Sequence, residues 1–543
     1  MKEFSGQIID VQQGRIFPGR FTVADGKITS VVEDSMAPTD RLYLPGLVDA
    51  HIHIESSLLP PAEFARAATI HGTVATVSDP HEIANVCGID GVRWMIRSAE
   101  STPLKIAFGA PSCVPATPFE TAGASFGPEE IAELLEMEGV SYLSEVMNFP
   151  AVIGGDSRML AIVQEARKRG LPVDGHAPGV LGKDLEKYAA AGIQTDHECV
   201  TLQEARQRIA CGMKVAIREG SAARNFEALW PILHEAPEHC FFCSDDRHPD
   251  DLAISHIDGL IRRAIDLGIP AIDAIRAATC NPVQHYNLKV GLLREGDPAD
   301  FILVGGLHDF HVKETWIDGA LVAENGKPLL ESHPIPAINN FAVSKICEED
   351  LRLPAVPNAT FSTMIAEDGQ LVTGRSDVDP TVVDGEVVSD PSRDLLKIVV
   401  VNRYNQSPPA VGLIHKFGLQ SGAVAGSVAH DSHNIVAVGA NDQSLVNAIN
   451  GVIEAQGGLA FNSPTQNRVH PLPIAGLMGE GDAWEAAEAF EGLTSLAKDD
   501  GCQLRSPFMT LSFMPLLVIP SLKMGDKGHF DVGTFSLIDP WKR

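Results

Sequence analysis

The sequence predicts an α/β protein whose central part is a (β/α)8 barrel of the TIM type. Between residues 45 and 287, short apolar segments typical of buried parallel strands alternate with longer helical segments. Short strand patterns separated by turn residues flank this region on both sides. The active site of such a barrel lies at the C-terminal ends of its strands, so those ends hold the first candidates for function.

Each barrel strand is predicted from a short apolar run. The eight predicted ends are His53, Ser78, Ala110, Glu145, His176, Asp196, Ile217 and Ser244. Helical patterns separate these strands, for example over residues 128–137, 157–169 and 202–211. Eight strands in strict alternation with helices favour a closed barrel over an open sheet.

Two further domains are predicted around the barrel. Residues 1–44 and 288–335 both contain strand patterns with an Asp-Gly turn, at Asp25-Gly26 and Asp318-Gly319. We expect these two pieces to pair into one small β domain that encloses the barrel as an insertion. Residues 340–543 follow a proline-rich stretch and combine strand and helix patterns, which predicts a C-terminal α+β domain.

Charge and cysteine usage restrict the class of protein. Asp and Glu number 71 against 42 Lys and Arg, and the net charge of −29 repels phosphate backbones, so no nucleic-acid partner is expected. No apolar run has the length of a membrane span, and the N-terminus lacks the apolar stretch of a signal peptide. Nine irregularly spaced cysteines suit a reducing compartment. The prediction is a cytoplasmic protein without a membrane partner.

The barrel strand ends carry the ligands of a metal site. His51 and His53 are two residues apart on the first strand and therefore point to the same side, where two imidazoles can bind a transition metal. An isolated pair of this kind is more often an ordinary polar strand end. Later strands change that balance, because together they supply histidines and carboxylates for two divalent metals. The predicted ligands are His51, His53, Glu145, His176, His197 and Asp245. Glu145 lies between the two ligand groups and is expected to bridge them.

This pattern resembles the amidohydrolase superfamily, which combines an H-x-H strand, a metal bridge on strand four, single histidines on strands five and six and an aspartate on strand eight. Many binuclear members use a carboxylated lysine on strand four, where this chain has Glu145. The closer resemblance is to the adenine deaminases of that superfamily. It rests on the motifs at residues 45–57, 77–83, 174–179, 244–247 and 424–435.

The resemblance implies that adenine and water give hypoxanthine and ammonia, in purine salvage. A hydroxide bridging two divalent metals would attack C6 of the purine, and Asp245 would take its proton. Asp79 and Glu82, after strand two, are the candidates for a second acid–base group that serves the leaving amine. The alternative for Asp79 is a structural one, in which it caps a helix that starts with Pro80.

Four polar residues are candidates for substrate binding: Asp79, His81, Arg218 and Asp246. Arg218 could instead belong to a surface turn, and Asp246 could instead support the metal ligands. The motif His430-Asp-Ser-His433 could bind metal or close the site, with a polar turn as the alternative. Asp49 is expected to be a structural hydrogen-bond acceptor.

Histidine and carboxylate ligands suit Mn²⁺, Fe²⁺ and Zn²⁺, and we predict two Mn²⁺ ions as the cofactor, with Fe²⁺ or Zn²⁺ as alternatives. The resemblance also implies a homodimer. The second hypothesis for function is another binuclear amidohydrolase, acting on a cyclic amide. A third is a non-catalytic assembly protein derived from such a barrel, against which the presence of all six ligands argues.

Overall fold

The computed structural model describes all 543 residues. The chain divides into two compact units, and each is described by itself. The first unit comprises Met1–Pro80, Arg93–Ser112 and Gly127–Ile335. The second comprises His81–Val92, Cys113–Phe126 and Pro336–Arg543. None of the helices combines the length and the apolar character needed to cross a membrane.

The first unit begins with an antiparallel meander that leads into the barrel. Its strands are β1 (Lys2–Asp10), β2 (Arg15–Ala24), β3 (Lys27–Glu33) and β4 (Leu42–Pro45). β1 pairs with β2 and β2 with β3, both antiparallel, while β4 lies parallel to β1. Asp25 and Gly26 join β2 to β3 with positive φ at both residues, the conformation that a two-residue hairpin of the primed type requires.

Eight parallel strands follow. They are β5 (Leu47–Ile52), β6 (Thr73–Ser78), β7 (Lys105–Ala110), β8 (Val140–Val146), β9 (Val173–Gly175), β10 (Thr195–Asp196), β11 (Lys214–Arg218) and β12 (Cys240–Cys243). β5 to β9 form one run in chain order and β10 to β12 another. Gln194 just before β10 donates to the carbonyl of Val173 on β9, and Ile52 on β5 pairs in parallel with Asp245 after β12. The strands thus curl into a sheet that fits a TIM-like barrel, and each ends within one residue of its predicted end.

Helices connect and follow the barrel strands. They are α1 (Pro61–Thr69), α2 (His81–Ala99), α3 (Pro128–Leu134), α4 (Phe149–Gly154), α5 (Ser157–Lys168), α6 (Gly182–Ala190), α7 (Leu202–Ala210), α8 (Phe226–Leu229), α9 (Ile232–Glu235), α10 (Pro249–Ile254), α11 (Ile257–Asp266), α12 (Ala271–Ala277) and α13 (Cys280–Tyr286). The three helices predicted at residues 128–137, 157–169 and 202–211 correspond to α3, α5 and α7. α7 starts with a capping box in which Thr201 and Glu204 each bond the other's backbone N–H. α2 is kinked at Gly88, where φ is +62°.

After the barrel the chain returns to the meander. The strands are β13 (Phe301–Val304), β14 (Val312–Ile317), β15 (Ala320–Glu324) and β16 (Lys327–Pro328). β13 pairs antiparallel with β4, so strands from both flanks of the barrel share one eight-stranded sheet. Phe4, Phe21, Tyr43, Phe301 and Trp316 make edge and stacked ring contacts across this sheet. These contacts between distant parts of the chain stabilise the pairing.

The second unit contains a large sheet with helices. Its strands are β17 (Thr360–Ile365), β18 (Gly374–Val378), β19 (Val382–Val383), β20 (Glu386–Val387), β21 (Leu395–Val401), β22 (Ala410–His415), β23 (Ala423–Gly426), β24 (Ile435–Gly439), β25 (Gly458–Asn462), β26 (Asn467–Pro471), β27 (Leu522–Gly525), β28 (Gly528–Asp531), β29 (Ser536–Leu537) and β30 (Trp541–Lys542). The helices are α14 (Asp442–Glu454), α15 (Ala483–Asp499) and α16 (Pro507–Ser512). The main sheet has the order β18-β17-β22-β21-β24-β23-β25-β26, with β30 beside β17. Leu445 and Ile449 of α14 pack against Ala425 and Ile435 of this sheet in one apolar core.

Candidate active site

The end of β5 aims two imidazoles in one direction. His51 and His53 are buried, and their rings meet edge to face with centroids 4.9 Å apart. Nδ1 of His53 lies 3.1 Å from the carbonyl oxygen of Asp79 at the end of β6. A proton on Nδ1 would be donated to that carbonyl, which leaves the Nε2 lone pair free to coordinate. The backbone of the second strand thus orients a side chain of the first.

Glu145, on β8, faces three imidazoles with its two oxygens. Oε1 lies 3.4 Å from Nε2 of His53, and Oε2 lies 2.8 Å from Nδ1 of His176 and 3.2 Å from Nε2 of His197. One carboxylate therefore stands between the histidine of β5 on one side and the histidines that follow β9 and β10 on the other. This geometry supports the bridging position expected from the sequence.

Asp245 uses its two carboxylate oxygens differently. Oδ1 lies 3.2 Å from Nε2 of His53 and 3.7 Å from Nε2 of His51, whereas Oδ2 accepts a hydrogen bond of 2.6 Å from Arg218. Burial alone would raise the pKa of Asp245, but Arg218 and His53 hold that pKa well below its usual range. The carboxylate is therefore ionised, with one oxygen fixed by Arg218 and the other facing the imidazoles.

The donor set fits a divalent metal. The six side chains are those predicted from the sequence: His51, His53, Glu145, His176, His197 and Asp245. Their ligand atoms form groups such as His51, His53 and Asp245 within 4.8 Å of one another. Nε2 of His51 is buried without a hydrogen-bond partner, 3.7 Å from Oδ1 of Asp245. Buried polar atoms normally have partners, so this nitrogen beside a carboxylate has the character of a metal ligand.

The protonation of the histidines also points to a site for cations. Burial lowers the pKa of His176, but Glu198 and Glu145 outweigh that effect and raise it to about 9. Burial likewise opposes ionisation of Glu145, yet His176 and His197 hold its pKa well below the usual range. The carboxylates therefore favour a positive charge at the histidines, and protons supply that charge when no metal is bound. Metal binding must displace those protons and is weakened at low pH.

Glu198 is a functional candidate that the sequence analysis missed. It makes two hydrogen bonds with Arg218, at 2.5 and 3.0 Å, and its Oε1 lies 3.5 Å from both His176 Nδ1 and His197 Nε2. The available signal was its place directly after His197 at a strand end. Because Glu198 and Asp245 both engage the buried guanidinium, Arg218 orients Asp245 in this structure rather than forming a surface turn.

Two buried carboxylates lie two residues before metal-ligand candidates. Asp174 accepts hydrogen bonds from Tyr286 at 2.9 Å and from Thr195 at 2.8 Å, and burial raises its pKa to about 7. Asp49 accepts from the backbone N–H of Ser244 at 3.0 Å and lies 2.8 Å from Nε2 of His256. Asp49 is thus the structural acceptor that the sequence predicts.

The loop after β6 resolves one alternative. The helix α2 begins at His81 with Pro80 at the N-cap, and no side chain caps it, so Asp79 is not the cap. The carbonyl of Asp79 instead contacts His53. Asp246, another predicted substrate residue of the first unit, accepts a hydrogen bond of 2.6 Å from Ser56.

The second unit contains a cluster of ionisable side chains around Glu82. Nδ1 of His430 lies 2.5 Å from Oε1 of Glu82, and Nε2 of His433 forms a short hydrogen bond with Oε2. His81 lies 3.5 Å from Glu82 and 3.8 Å from Asp431. Burial opposes ionisation of Glu82, but the three imidazoles hold its pKa well below the usual range.

The motif at residues 430–433 is therefore buried and bonded rather than a polar surface turn. It lies between β23 and β24, and its four residues are at most 3% exposed. The ring of Phe513 stacks on His430 with centroids 4.5 Å apart. The pairing of His430 with Glu82 spans 348 residues of sequence. The sequence singled out both partners but carried no signal that joins them.

Comparison with known proteins finds relatives over almost the whole chain. The family model "Amidohydrolase family" matches residues 42–322, and "Adenine deaminase C-terminal domain" matches residues 370–536. The chain is 50% identical to an adenine deaminase of Salinibacter ruber, over 98% of each chain. It is 51% identical to an adenine deaminase of a Sulfurovum species, over 100% of each. Among solved structures, an adenosine deaminase of Xanthomonas campestris with bound Zn is 15% identical with a TM-score of 0.46, over 61% of this chain and 94% of that one.

These findings identify the class of protein to which the barrel and its ligand set correspond. The chain belongs to the amidohydrolase family and, within that family, to the adenine deaminases.

Proposed function

We propose that this protein hydrolyses adenine to hypoxanthine and ammonia and serves purine salvage. The observation that carries the proposal is the similarity over almost the whole chain to proteins named adenine deaminase. The buried ligand set at the barrel strand ends supports it, because hydrolytic deamination requires an activated water. Glu145 in place of the lysine of many binuclear relatives also separates the chain from the hydrolases of cyclic amides.

We propose further that the protein holds two divalent ions, Mn²⁺ in preference to Fe²⁺ or Zn²⁺. His51, His53 and Asp245 would hold one ion, His176 and His197 the other, and Glu145 would bridge them. Ions in such a site supply a water-derived nucleophile near neutral pH. The chain's own contribution is to fix the ligands, since Asp79, Arg218 and Glu198 each hold one or more of them by hydrogen bonds or ion pairs.

Asp245 is the proposed proton acceptor. Oδ2 is held by Arg218, so the proton removed from water would be taken by Oδ1 and then transferred toward the departing amine. Asp79 and Glu82 are proposed as the second acid–base group. Glu82 is kept ionised by its imidazole neighbours and is therefore able to accept a hydrogen bond from an N–H of the purine. His81, Arg218 and Asp246 remain proposed substrate residues, with Arg218 acting through Asp245.

The domain boundaries, the localisation and the oligomeric state are also proposals. We propose three domains, with residues 1–44 and 288–335 as a small β domain, residues 45–287 as the catalytic barrel and residues 340–543 as an α+β domain. We propose a cytoplasmic homodimer, and the nine free cysteines are consistent with a reducing compartment.

The test of function is a comparison of substrates. Adenine, adenosine, cytosine, guanine and dihydroorotate are supplied separately to the protein with Mn²⁺, and ammonia release or ring opening is followed. Adenine should react fastest, and adenosine much more slowly because its ribose must enter a closed pocket. If adenosine or dihydroorotate is the best substrate, the assignment to adenine fails even when the metal site is intact.

A further inference from the structure

The first unit contains a cavity of about 570 Å³ at the N-terminal ends of its barrel strands. Its lining includes Ala75 of β6 and the first residues of β7 and β8, Lys105 and Val140. The predicted metal ligands lie at the opposite ends of the strands. Glu145 is five residues beyond Val140 on β8, which corresponds to about 17 Å along an extended strand. The cavity is therefore separate from the candidate active site.

Most of the cavity wall is apolar. The larger apolar side chains come from two strands and from the segment after α13, and they are Ile106, Val140, Leu288, Val290 and Pro298. Tyr286 adds an aromatic ring, and its hydroxyl is already used because it donates to Asp174 at 2.9 Å. A cavity of this volume with a mainly apolar wall is typical of a site for a small organic molecule.

The charges around this cavity cancel. Lys105 donates to Asp300 at 2.7 Å and to Asp318 at 2.9 Å. The remaining charge is that of Lys289, whose backbone oxygen accepts a hydrogen bond of 3.0 Å from Lys105. Two ammonium groups thus stand against two carboxylates. Because an interface favours a partner of complementary charge, these surroundings suit a ligand without a net charge.

Lys289 is the charged group of this set that no other group engages. It lines the cavity, and its exposed side chain makes no ion pair or hydrogen bond. An ammonium group has N–H donors and no acceptor, so it selects a ligand atom that accepts. We propose that the cavity is a second ligand site, which binds an uncharged, flat and largely apolar molecule and donates a hydrogen bond from Lys289 to an acceptor atom of that molecule. This inference concerns a site apart from the proposed deamination and does not depend on that activity.

The experiment titrates the Mn²⁺-loaded protein with 6-propionyl-2-dimethylaminonaphthalene. This probe is an uncharged, flat ketone whose fluorescence shifts to the blue in apolar surroundings. It should bind saturably at one site per chain with blue-shifted emission. The comparison compound is 2-dimethylaminonaphthalene, which has the same ring system without the ketone. It should bind about fivefold more weakly, because it offers no carbonyl oxygen to Lys289.

Two variants test the cavity and its hydrogen bond separately. Ala107 lines the cavity and points to the same side of β7 as Lys105, so Ala107→Trp should fill the space and abolish saturable binding of both compounds. Lys289→Met removes the donor and should weaken the ketone about fivefold while changing the comparison compound by less than about twofold. Lys183→Met, in an exposed lysine of α6 without an ion pair, is the matched control and should bind both compounds as the wild type does.

A thermal melt establishes that each variant is folded, and Lys289→Met decides the question if Ala107→Trp is not. The absence of saturable binding to the wild type would overturn the inference. Binding that is unchanged in a folded Ala107→Trp variant would place the probe elsewhere and have the same consequence. Equal binding of the ketone by Lys289→Met and Lys183→Met would overturn the hydrogen bond and with it the proposed class of ligand. None of these measurements requires deamination, so their outcome is independent of the proposed function.

Discussion

Asp245 is the residue on which the proposed chemistry depends most. One of its oxygens faces His51 and His53, and the other is held by Arg218 at 2.6 Å. Arg218 is itself fixed by Glu198, so the carboxylate has little freedom to rotate. Because one oxygen is fixed by Arg218, only the other oxygen is positioned to receive a proton in the proposed mechanism.

The variant Asp245→Asn should lose at least about a hundredfold in turnover of adenine, the low end for a lost acid–base group. Asparagine keeps an oxygen that can coordinate a metal but cannot take up a proton. Metal content by mass spectrometry and a thermal melt provide the controls for loss of the ion or of the fold. Turnover close to that of the wild type in a metal-loaded variant would place the proton transfer on another residue.

The sequence predicted the site residues that lie at strand ends. It did not predict contacts between residues that are far apart in the sequence. The alternation of side chains on β5 pointed to His51 and His53, and the ends of later strands supplied the other four ligands. Glu198 was missed because its role comes from Arg218, twenty residues further on. The contact of His430 with Glu82 depends on tertiary packing that no local pattern encodes.

At the scale of elements, the contact between β5 and β12 determines how the first and last ligands meet. Asp49 on β5 accepts from the backbone and the hydroxyl of Ser244, which follows β12, and contacts His256. His256 in turn lies 2.7 Å from the hydroxyl of Thr73 on β6. One buried carboxylate therefore joins three strands just below the ligand positions.

Asp49→Ala should lower the free energy of unfolding of the metal-free protein by about 2–4 kcal/mol, because it leaves several buried partners unsatisfied. It should also weaken metal binding, since His51 and Asp245 lie next to this contact. Denaturant unfolding and metal titration measure the two effects. Thr22→Ala, in an exposed hydroxyl pair of the small sheet, is the control and should change stability by less than about 0.5 kcal/mol. If the free energy of unfolding changes as little in Asp49→Ala as in the control, the contact made by Asp49 is dispensable for stability.

The sequence predicted the individual strands more closely than it predicted which strands pair and in which register. Apolar runs bounded by turns predicted the C-terminal end of each barrel strand to within one residue. The sequence predicted that the two flanks of the barrel pair, but not the register of β4 with β13. About 250 residues of chain separate these strands, and their register depends on side-chain packing between them. The kink of α2 at Gly88 was not predicted, since a lone glycine is also tolerated inside a regular helix.

At the scale of the whole molecule, both units carry part of the family match. The barrel model covers residues 42–322 and the C-terminal model residues 370–536. The net charge of −29 attracts divalent cations and does not repel an uncharged base such as adenine. Composition alone therefore allowed a metal-dependent enzyme with a neutral substrate, but it did not identify that substrate.

The most direct test is to remove all metal from the protein and to titrate Mn²⁺ back while ammonia release from adenine is measured. The metal-free chain should be inactive, and activity should rise to a plateau at two Mn²⁺ per chain, because the ligand set is proposed to hold two ions bridged by Glu145. A plateau at one ion, release of ammonia from adenine without metal, or no release after full loading would contradict the account.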